Sequence, residues 1–203
     1  MNDTTISKTL SYYLRHGANT KGVKIDPDGY VNLADLLTQK EFYGVTTADI
    51  RRVVANCAKQ RFELEGCKIR ARQGHSITSV VDAGLTPITM TDVSSNEFAI
   101  HGTYMEILHK IVASPGLSRM QRQHIHMTTP DIVFTTQNKK GQSGVRYDTD
   151  LFLWINMKKV LALGLLLYRS SNGVILCPGD ADGFIPWSCI ERCTDRQQRP
   201  IHF

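Results

Sequence analysis

The stretch TTADIRRVVANCAKQRFELEGCKIRA, residues 46–71, changes its hydrophobic period partway along. Ile50, Val53, Val54 and Cys57 recur at helical spacing, and Thr46 or Thr47 can cap the helix they imply. From Phe62 the period is two. Phe62 and Leu64 alternate with polar residues, Glu65-Gly66 turns the chain, and Ile69 and Ala71 alternate again. Upstream, Ile6, Leu10, Tyr13 and Leu14 predict a first helix that stops at Gly17, with Arg15 and His16 in its last turn. Asp26-Pro27-Asp28-Gly29 predicts a turn between Val23/Ile25 and Tyr30/Val31, and Asn32 can cap a second helix carrying Leu33, Leu36 and Leu37. Helix, short strand, helix, helix and hairpin, in that order, is the outline of a winged helix.

Downstream the texture differs. Residues 80–93 lack a strong period and hold Gly84, Pro87 and several Thr, which predicts a connection. Residues 98–100 read as a strand running into His101-Gly102-Thr103. Residues 104–112 read as a helix ended by Ser114-Pro115-Gly116. Short strands are predicted over 124–127, 132–135, 151–155, 165–169 and 174–177, with a hairpin signal at 170–173 and one or two helical turns at 158–163. The expected class is α+β, with domains at 1–92 and 93–203, the second mostly β.

The composition of the 203 residues, 41% apolar and 21% charged, is that of a folded chain and excludes a disordered or collagenous one. The excess of 24 Lys+Arg over 19 Asp+Glu, a net charge of +5, favours an anionic partner. Five Cys without a C-x-x-C pair fit reduced thiols and an intracellular, cytoplasmic or nuclear setting. The chain opens on no secretory-type segment, and its longest apolar run, 160–168, is too short for a bilayer.

The basic residues are grouped. Arg15-His16 at a helix end fits simple termination on the macrodipole as well as anion binding. Lys59-Gln60-Arg61 stands between helix and hairpin, and residues 59 and 61 share a face if the chain is extended there. Arg70 and Arg72 alternate with Ile69 and Ala71, with Gln73-Gly74-His75 close behind, as in a basic wing touching phosphates. In His101-Gly102-Thr103, Gly lets a ligand approach the backbone while His and Thr offer hydrogen bonds; a buried, satisfied His is the plainer explanation. Period two places Arg122, His124 and His126 on one strand face. His-x-His can chelate, but an Arg on that face argues against a cation, and no third ligand is evident. Cys189 and Cys193 are helix-spaced, with only His202 as a possible partner, so no metal is expected. Gly141, Gly144 and Arg146 suit either a diphosphate or plain turns, and no Rossmann or P-loop string occurs.

In order along the chain stand Ser7-Lys8-x-Leu10-Ser11-x-x-Leu14-Arg15-His16, Asp28-Gly29-Tyr30, Lys59-x-Arg61-Phe62 and Ile69-Arg70-Ala71-x-Gln73-Gly74-His75-Ser76. His101-Gly102-Thr103 and Gly116-Leu117-x-x-Met120-x-Arg122-x-His124-Ile125-His126 follow, then Asn172-Gly173-Val174-Ile175-Leu176 and Pro178-Gly179-x-x-x-Gly183-Phe184. This series resembles the RNA 2′-phosphotransferase family (KptA/TPT) from Ser7 to about Trp187. The resemblance implies a winged-helix RNA-binding lobe, 1–92, and an ADP-ribosyltransferase-type NAD-binding lobe, 93–203. It implies that Arg15, His16, Arg61 and Arg122 grip and process a 2′-phosphate, with Arg119 and Arg122 in the same motif. Lys59, Arg70, Arg72 and His75 are the expected RNA contacts. His101, Gly102, Thr103, Gly116, Arg119, His124, His126, Gly144 and Arg146 are the expected contacts to NAD.

The reaction so implied moves an internal tRNA splice-junction 2′-phosphate to ADP-ribose. NAD is consumed, nicotinamide and ADP-ribose 1″,2″-cyclic phosphate form, and the RNA keeps a 2′-hydroxyl. The expected protein is a metal-free transferase, a monomer with no membrane partner. Two alternatives stand beside it: an ADP-ribosyltransferase acting on a nucleic-acid end or a protein, and a non-catalytic winged-helix nucleic-acid binder.

Overall fold

The computed structural model describes residues 1–81, 84–134 and 145–202. It is a mixed helix-and-sheet structure with several antiparallel sheets, in two compact units, Met1–Gly84 and Leu85–Phe203.

In the first unit, α1 (Asp3–Tyr12) is capped by the Asn2 side chain, which accepts from the Thr5 N–H. A π-helical turn, Tyr13–Gly17, and a 3₁₀ turn, Asn19–Lys21, follow. Next come β1 (Val31–Asn32) and α2 (Leu33–Leu37), whose cap is the predicted Asn32. Helix α3 (Thr47–Ala55) starts at Thr46, where Thr46 and Asp49 exchange side-chain and backbone bonds in a capping box. Strands β2 (Phe62–Glu65) and β3 (Lys68–Ala71) form the predicted hairpin, and β1 completes a sheet in the order β1-β3-β2. Ile6, Leu10, Leu14, Leu36, Ile50, Phe62 and Ile69 close a core from all of these elements. Gln60 takes a left-handed φ of 45°, so the chain is not extended between Lys59 and Arg61 and the expected shared face does not form.

The second unit begins at Leu85. Residues expected to be a plain connection contain β4 (Thr86–Ile88), which pairs at a sheet edge, where Pro87 is tolerated. Then come β5 (Phe98–Thr103), a 3₁₀ turn at Met105–Ile107, α4 (Leu108–Val112), β6 (Gly116–Ser118), β7 (Ile125–Met127) and α5 (Pro130–Phe134). They are followed by β8 (Leu151–Asn156), α6 (Met157–Ala162), β9 (Leu167–Arg169), β10 (Ile175–Cys177) and β11 (Phe184–Pro186). After a 3₁₀ turn at Trp187–Cys189, β12 (Ile190–Thr194) and β13 (Pro200–Ile201) close the chain.

Two four-stranded sheets result, β4-β9-β10-β7 and β13-β12-β8-β5, besides the pair β11-β6. Reciprocal backbone bonds between Ile100 and Thr128 join the two larger sheets. Residues 132–134 are helical rather than extended, because Val133 and Phe134 pack onto the face of β5 and β8 that carries Ile100, Phe152 and Trp154. Cys189 and Cys193 do not share a helix. One ends a 3₁₀ turn and the other lies in β12.

Among the described residues, no helix is long and apolar enough to cross a membrane. A Cβ on Gly116 would lie 2.0 Å from the Ile185 carbonyl oxygen across the β6–β11 pair. Gly116→Ala is therefore expected to cost about 3 kcal/mol, at the upper end of overpacking penalties because the obstacle is backbone. Chemical denaturation measures it, and an unchanged midpoint would contradict the close pairing.

Candidate functional site

In the first unit, the π-helical turn presents Arg15 half-buried and His16 exposed. Residues leaving β3 hold this turn. The Ser76 N–H donates to the Arg15 carbonyl at 2.9 Å, and Ser76 Oγ lies 2.9 Å from His16 Nδ1. Single π-turns of this kind concentrate at functional sites. Arg61, half-buried, donates from Nη1 to Cys57 Sγ at 3.6 Å.

The hairpin arginines are placed differently. Arg70 and Arg72 share a face, as their alternation predicts, but both meet the Glu63 carboxylate, at 3.1 and 3.7 Å. Arg70 also donates to the Asp28 carbonyl and stacks over Tyr30 at 4.7 Å. Its charge is largely engaged within the fold. His75 is only 3% exposed and packs near Gly29, where it supports the turn at 26–30. Lys59 is half-buried at the start of the hairpin approach.

In the second unit, His101 lies on β5, and its Nδ1 is 2.9 Å from the His126 carbonyl oxygen. A carbonyl only accepts, so the proton sits on Nδ1 and Nε2 carries a lone pair. Burial lowers the His101 pKa, and the charge of Arg122 lowers it further. His126 makes the same kind of bond from Nδ1 to the His124 carbonyl at 3.1 Å. His124 packs edge-on to Tyr168, and burial, with the charge of Arg119, brings it down to about 4.

The 119–122 segment is a turn with Met120 at φ 55°, so Arg122 and His124 both precede β7 and the expected shared strand face with His126 does not form. This turn separates the two motif arginines. Arg119 lies across Gly183 and donates from Nη1 to the Arg122 carbonyl at 2.7 Å. Arg122 is exposed, and both desolvation and the charge of Arg146 lower its pKa. Arg146 is held by the Tyr104 hydroxyl at 3.2 Å. His101, Arg122 and Arg146 are thus electrostatic neighbours.

Gly102 makes room for Val145 and Thr149, which a Cβ would meet at 2.8–2.9 Å. Thr149 Oγ1 is buried with no hydrogen-bond partner among the described residues. Thr103 is buried beside it on β5, its carbonyl accepting from the Asp150 N–H. Gly116 serves the β6–β11 pairing, and Gly144 lies outside the described residues. Among the described residues, no group of three or more His, Cys, Asp or Glu is arranged to hold a metal.

Sequence reasoning missed Ser76, Tyr104 and Thr149 as partners of the site. Ser76 closes a quoted motif but was given no role of its own, while Tyr104 and Thr149 carry no local signal because they flank β5 and β8 and meet the site only through that pairing.

Three of the arginines singled out in the sequence share one feature. Arg61 and Arg119 are held by neutral acceptors, a thiol and a backbone carbonyl, and Arg146 by a phenol. Among the described residues, Arg61, Arg119, Arg122 and Arg146 make no ion pair, whereas Arg52, Arg70, Arg72 and Arg199 all do. Cations kept clear of internal carboxylates retain their capacity for an external anion.

Comparison with known proteins agrees with this chemistry. The family described as RNA 2′-phosphotransferase, Tpt1/KptA, matches residues 1–179. The chain is 40% identical over 189 residues to tRNA 2′-phosphotransferase 1 of Danio rerio, covering 90% of this chain and 81% of that protein. It is 36% identical over 185 residues to tRNA 2′-phosphotransferase of Saccharomyces cerevisiae, covering 86% and 78%. A probable RNA 2′-phosphotransferase of Rhizobium rhizogenes is 41% identical over 175 residues, covering 85% and 87%. The chain belongs to the RNA 2′-phosphotransferase family.

Half-buried neutral histidines make stability depend on pH. The folded pKa of His124, about 4, lies below the ordinary 6.5, and that of His101 is lowered in the same sense. The unfolded chain therefore binds more protons in that window, so stability falls as pH drops from about 6.5 towards 4. His124→Gln is expected to flatten this slope in pH-dependent denaturation. An unchanged slope would contradict the half-buried neutral imidazole.

Proposed function

We propose that this member of the RNA 2′-phosphotransferase family uses NAD to remove a splice-junction 2′-phosphate from tRNA. On this reading the first unit is a winged-helix RNA-binding lobe and the second an ADP-ribosyltransferase-type NAD lobe, working as a monomer in a reducing compartment, the cytoplasm or nucleus. The functional division corresponds to about 1–92 and 93–203. The observation that carries the reading is the set of motif arginines kept clear of carboxylates, which suits a dianionic phosphate.

The two substrates react in two balanced steps. A 2′-phosphate oxygen bonds to the ribose carbon of NAD as the carbon–nitrogen bond to nicotinamide breaks. The neighbouring ribose 2″-hydroxyl then bonds to phosphorus, loses its proton, and the RNA 2′-oxygen departs and takes up a proton. The products are nicotinamide, ADP-ribose 1″,2″-cyclic phosphate and RNA with a 2′-hydroxyl.

The residues present suit these substrates. Arg15, Arg61 and Arg122 are assigned to the phosphate, whose oxygens the planar guanidinium fork binds in pairs. Each charge-assisted bond contributes roughly 1.5–3 kcal/mol. The Nε2 lone pair of His101 fits a ribose hydroxyl as donor, and the unsatisfied Thr149 Oγ1 close by offers a further polar contact. His124 and His126 flank His101 in the same role, with Gly102, Thr103 and Gly116 shaping the backbone. Arg146, with Gly144, is assigned to the diphosphate. Lys59, Arg72, Arg70 and His75 serve RNA contact directly or by shaping the wing.

The second step expels an oxygen that needs a proton, and His16 is the titratable group assigned to it. Arginines supply the charge stabilisation that a metal supplies elsewhere, so the proposal uses no metal.

The test is nicotinamide release from NAD with and without a short 2′-phosphorylated oligoribonucleotide. Release only with the phosphorylated RNA is expected, and release independent of the RNA contradicts the proposal. Arg15→Ala, Arg61→Ala and Arg122→Ala are each expected to lower turnover by about 10²–10³-fold or more. A folded variant at near-normal rate removes that arginine from the site.

A further inference from the structure

Tyr13 is completely buried and opens the π-helical turn that carries Arg15 and His16. Its hydroxyl donates to Glu41 Oε2 at 2.7 Å. The other oxygen of the same carboxylate, Oε1, accepts from Lys21 Nζ at 2.8 Å. Lys21 ends the 3₁₀ turn that follows the π-turn. One carboxylate, from the 3₁₀ turn Lys40–Phe42, thus ties the chain on both sides of Arg15-His16.

The tie persists over a wide pH range. Hydrogen bonds from Lys21 and then Tyr13 bring Glu41 down to about 2, while burial and then Glu41 push Tyr13 up to about 12. Around it the turn is closed by the i→i+5 bond from the Ala18 N–H to the Tyr13 carbonyl at 3.0 Å. The Tyr12 ring lies over Gly17, where an added Cβ would come within 2.4 Å of it. A π-turn holds one residue more than an α-helical turn, so relaxing it rotates the residues beyond by about 100°. Arg15 and His16 lie within the turn, so relaxing it redirects their side chains as well.

We propose that Glu41, acting through Tyr13 and Lys21, is a positioning residue that fixes the direction of Arg15 and His16. The inference rests on the reading of those two residues as the phosphate-handling pair. Glu41 acts through the backbone of the turn and takes no part in the chemistry. Its sequence setting, Gln39-Lys40-Glu41-Phe42, carries no motif, which is why only the folded chain reveals it.

The experiment is steady-state kinetics with NAD and a short 2′-phosphorylated oligoribonucleotide for Glu41→Gln, Tyr13→Phe and their double variant. Arg15→Ala is the reference for the site, and Arg52→Ala, which breaks surface ion pairs to Asp3 and Asp49, is the reference for lost stability. Each single change is expected to lower kcat by about tenfold or more, since small displacements of a positioned group cost that much. KM for NAD stays unchanged. The double variant is expected to be no slower than the slower single, because both act through one network. Lys21→Met, which removes only the surface half of the tie, gives the same sense of change if Tyr13→Phe fails to fold.

Wild-type kcat in the Glu41 and Tyr13 variants alongside an inactive Arg15→Ala overturns the positioning role alone. Full activity of Arg15→Ala overturns the site reading beneath it. An equal loss in Arg52→Ala also overturns the proposal, because the loss would then follow stability and not the turn.

Discussion

Cations that must receive an anion have to be oriented before it arrives, and an internal carboxylate would orient them only by competing for the same charge. In this protein Arg61, Arg119 and Arg146 are oriented by a thiol, a backbone carbonyl and a phenol. The cost is visible in the second unit, where desolvation and mutual repulsion disfavour the charged forms of Arg122 and His101. On the function proposed above, an arriving phosphate group would offset that penalty by giving each arginine a charged partner. Carboxylates are used elsewhere, on Arg52, Arg70, Arg72 and Lys21, where charge serves architecture.

The neutral acceptors depend on backbone placement, which is where the glycines enter. The carbonyl that holds Arg119 belongs to a tight turn closed against Gly183, a position at φ 83° where a Cβ would run into the Arg119 side chain. The carbonyl that holds His101 comes from β7, beside the Ile100–Thr128 bridge between the two larger sheets. Sheet register in the second unit thereby sets the histidine tautomer. In the first unit, a π-turn tied to Glu41 and Ser76 plays the corresponding part for Arg15 and His16.

Much of this was legible in the sequence, because periodicity and caps are local. The helix at 47–55, its Thr46 cap, the Asn32 cap and the β2–β3 hairpin were all read from spacing. Strands β6, β11 and β13 were not, since Gly116, Pro186 and Pro200 within them read as breakers. Strand β4 was hidden by Pro87, which its edge position permits. The residues 132–134 look extended by composition but become helical when Phe134 stacks on Trp154, 5.5 Å between centroids. The motif strings located the candidate cations. They could not distinguish Arg70, bound to Glu63, from Arg61, or Arg119, folded over Gly183, from Arg122, because the difference lies in partners distant in sequence. The comparisons with known proteins establish the family.

The central claim is that the phosphate leaves RNA through two transfers on one ribose and is not simply hydrolysed. The most direct measurement follows a radiolabelled 2′-phosphate on a short RNA incubated with NAD, with products separated and identified by mass. The account predicts the label in ADP-ribose 1″,2″-cyclic phosphate, with one nicotinamide released for each RNA 2′-hydroxyl formed. Label appearing as inorganic phosphate, or remaining on an ADP-ribosylated RNA as the end product, would contradict it.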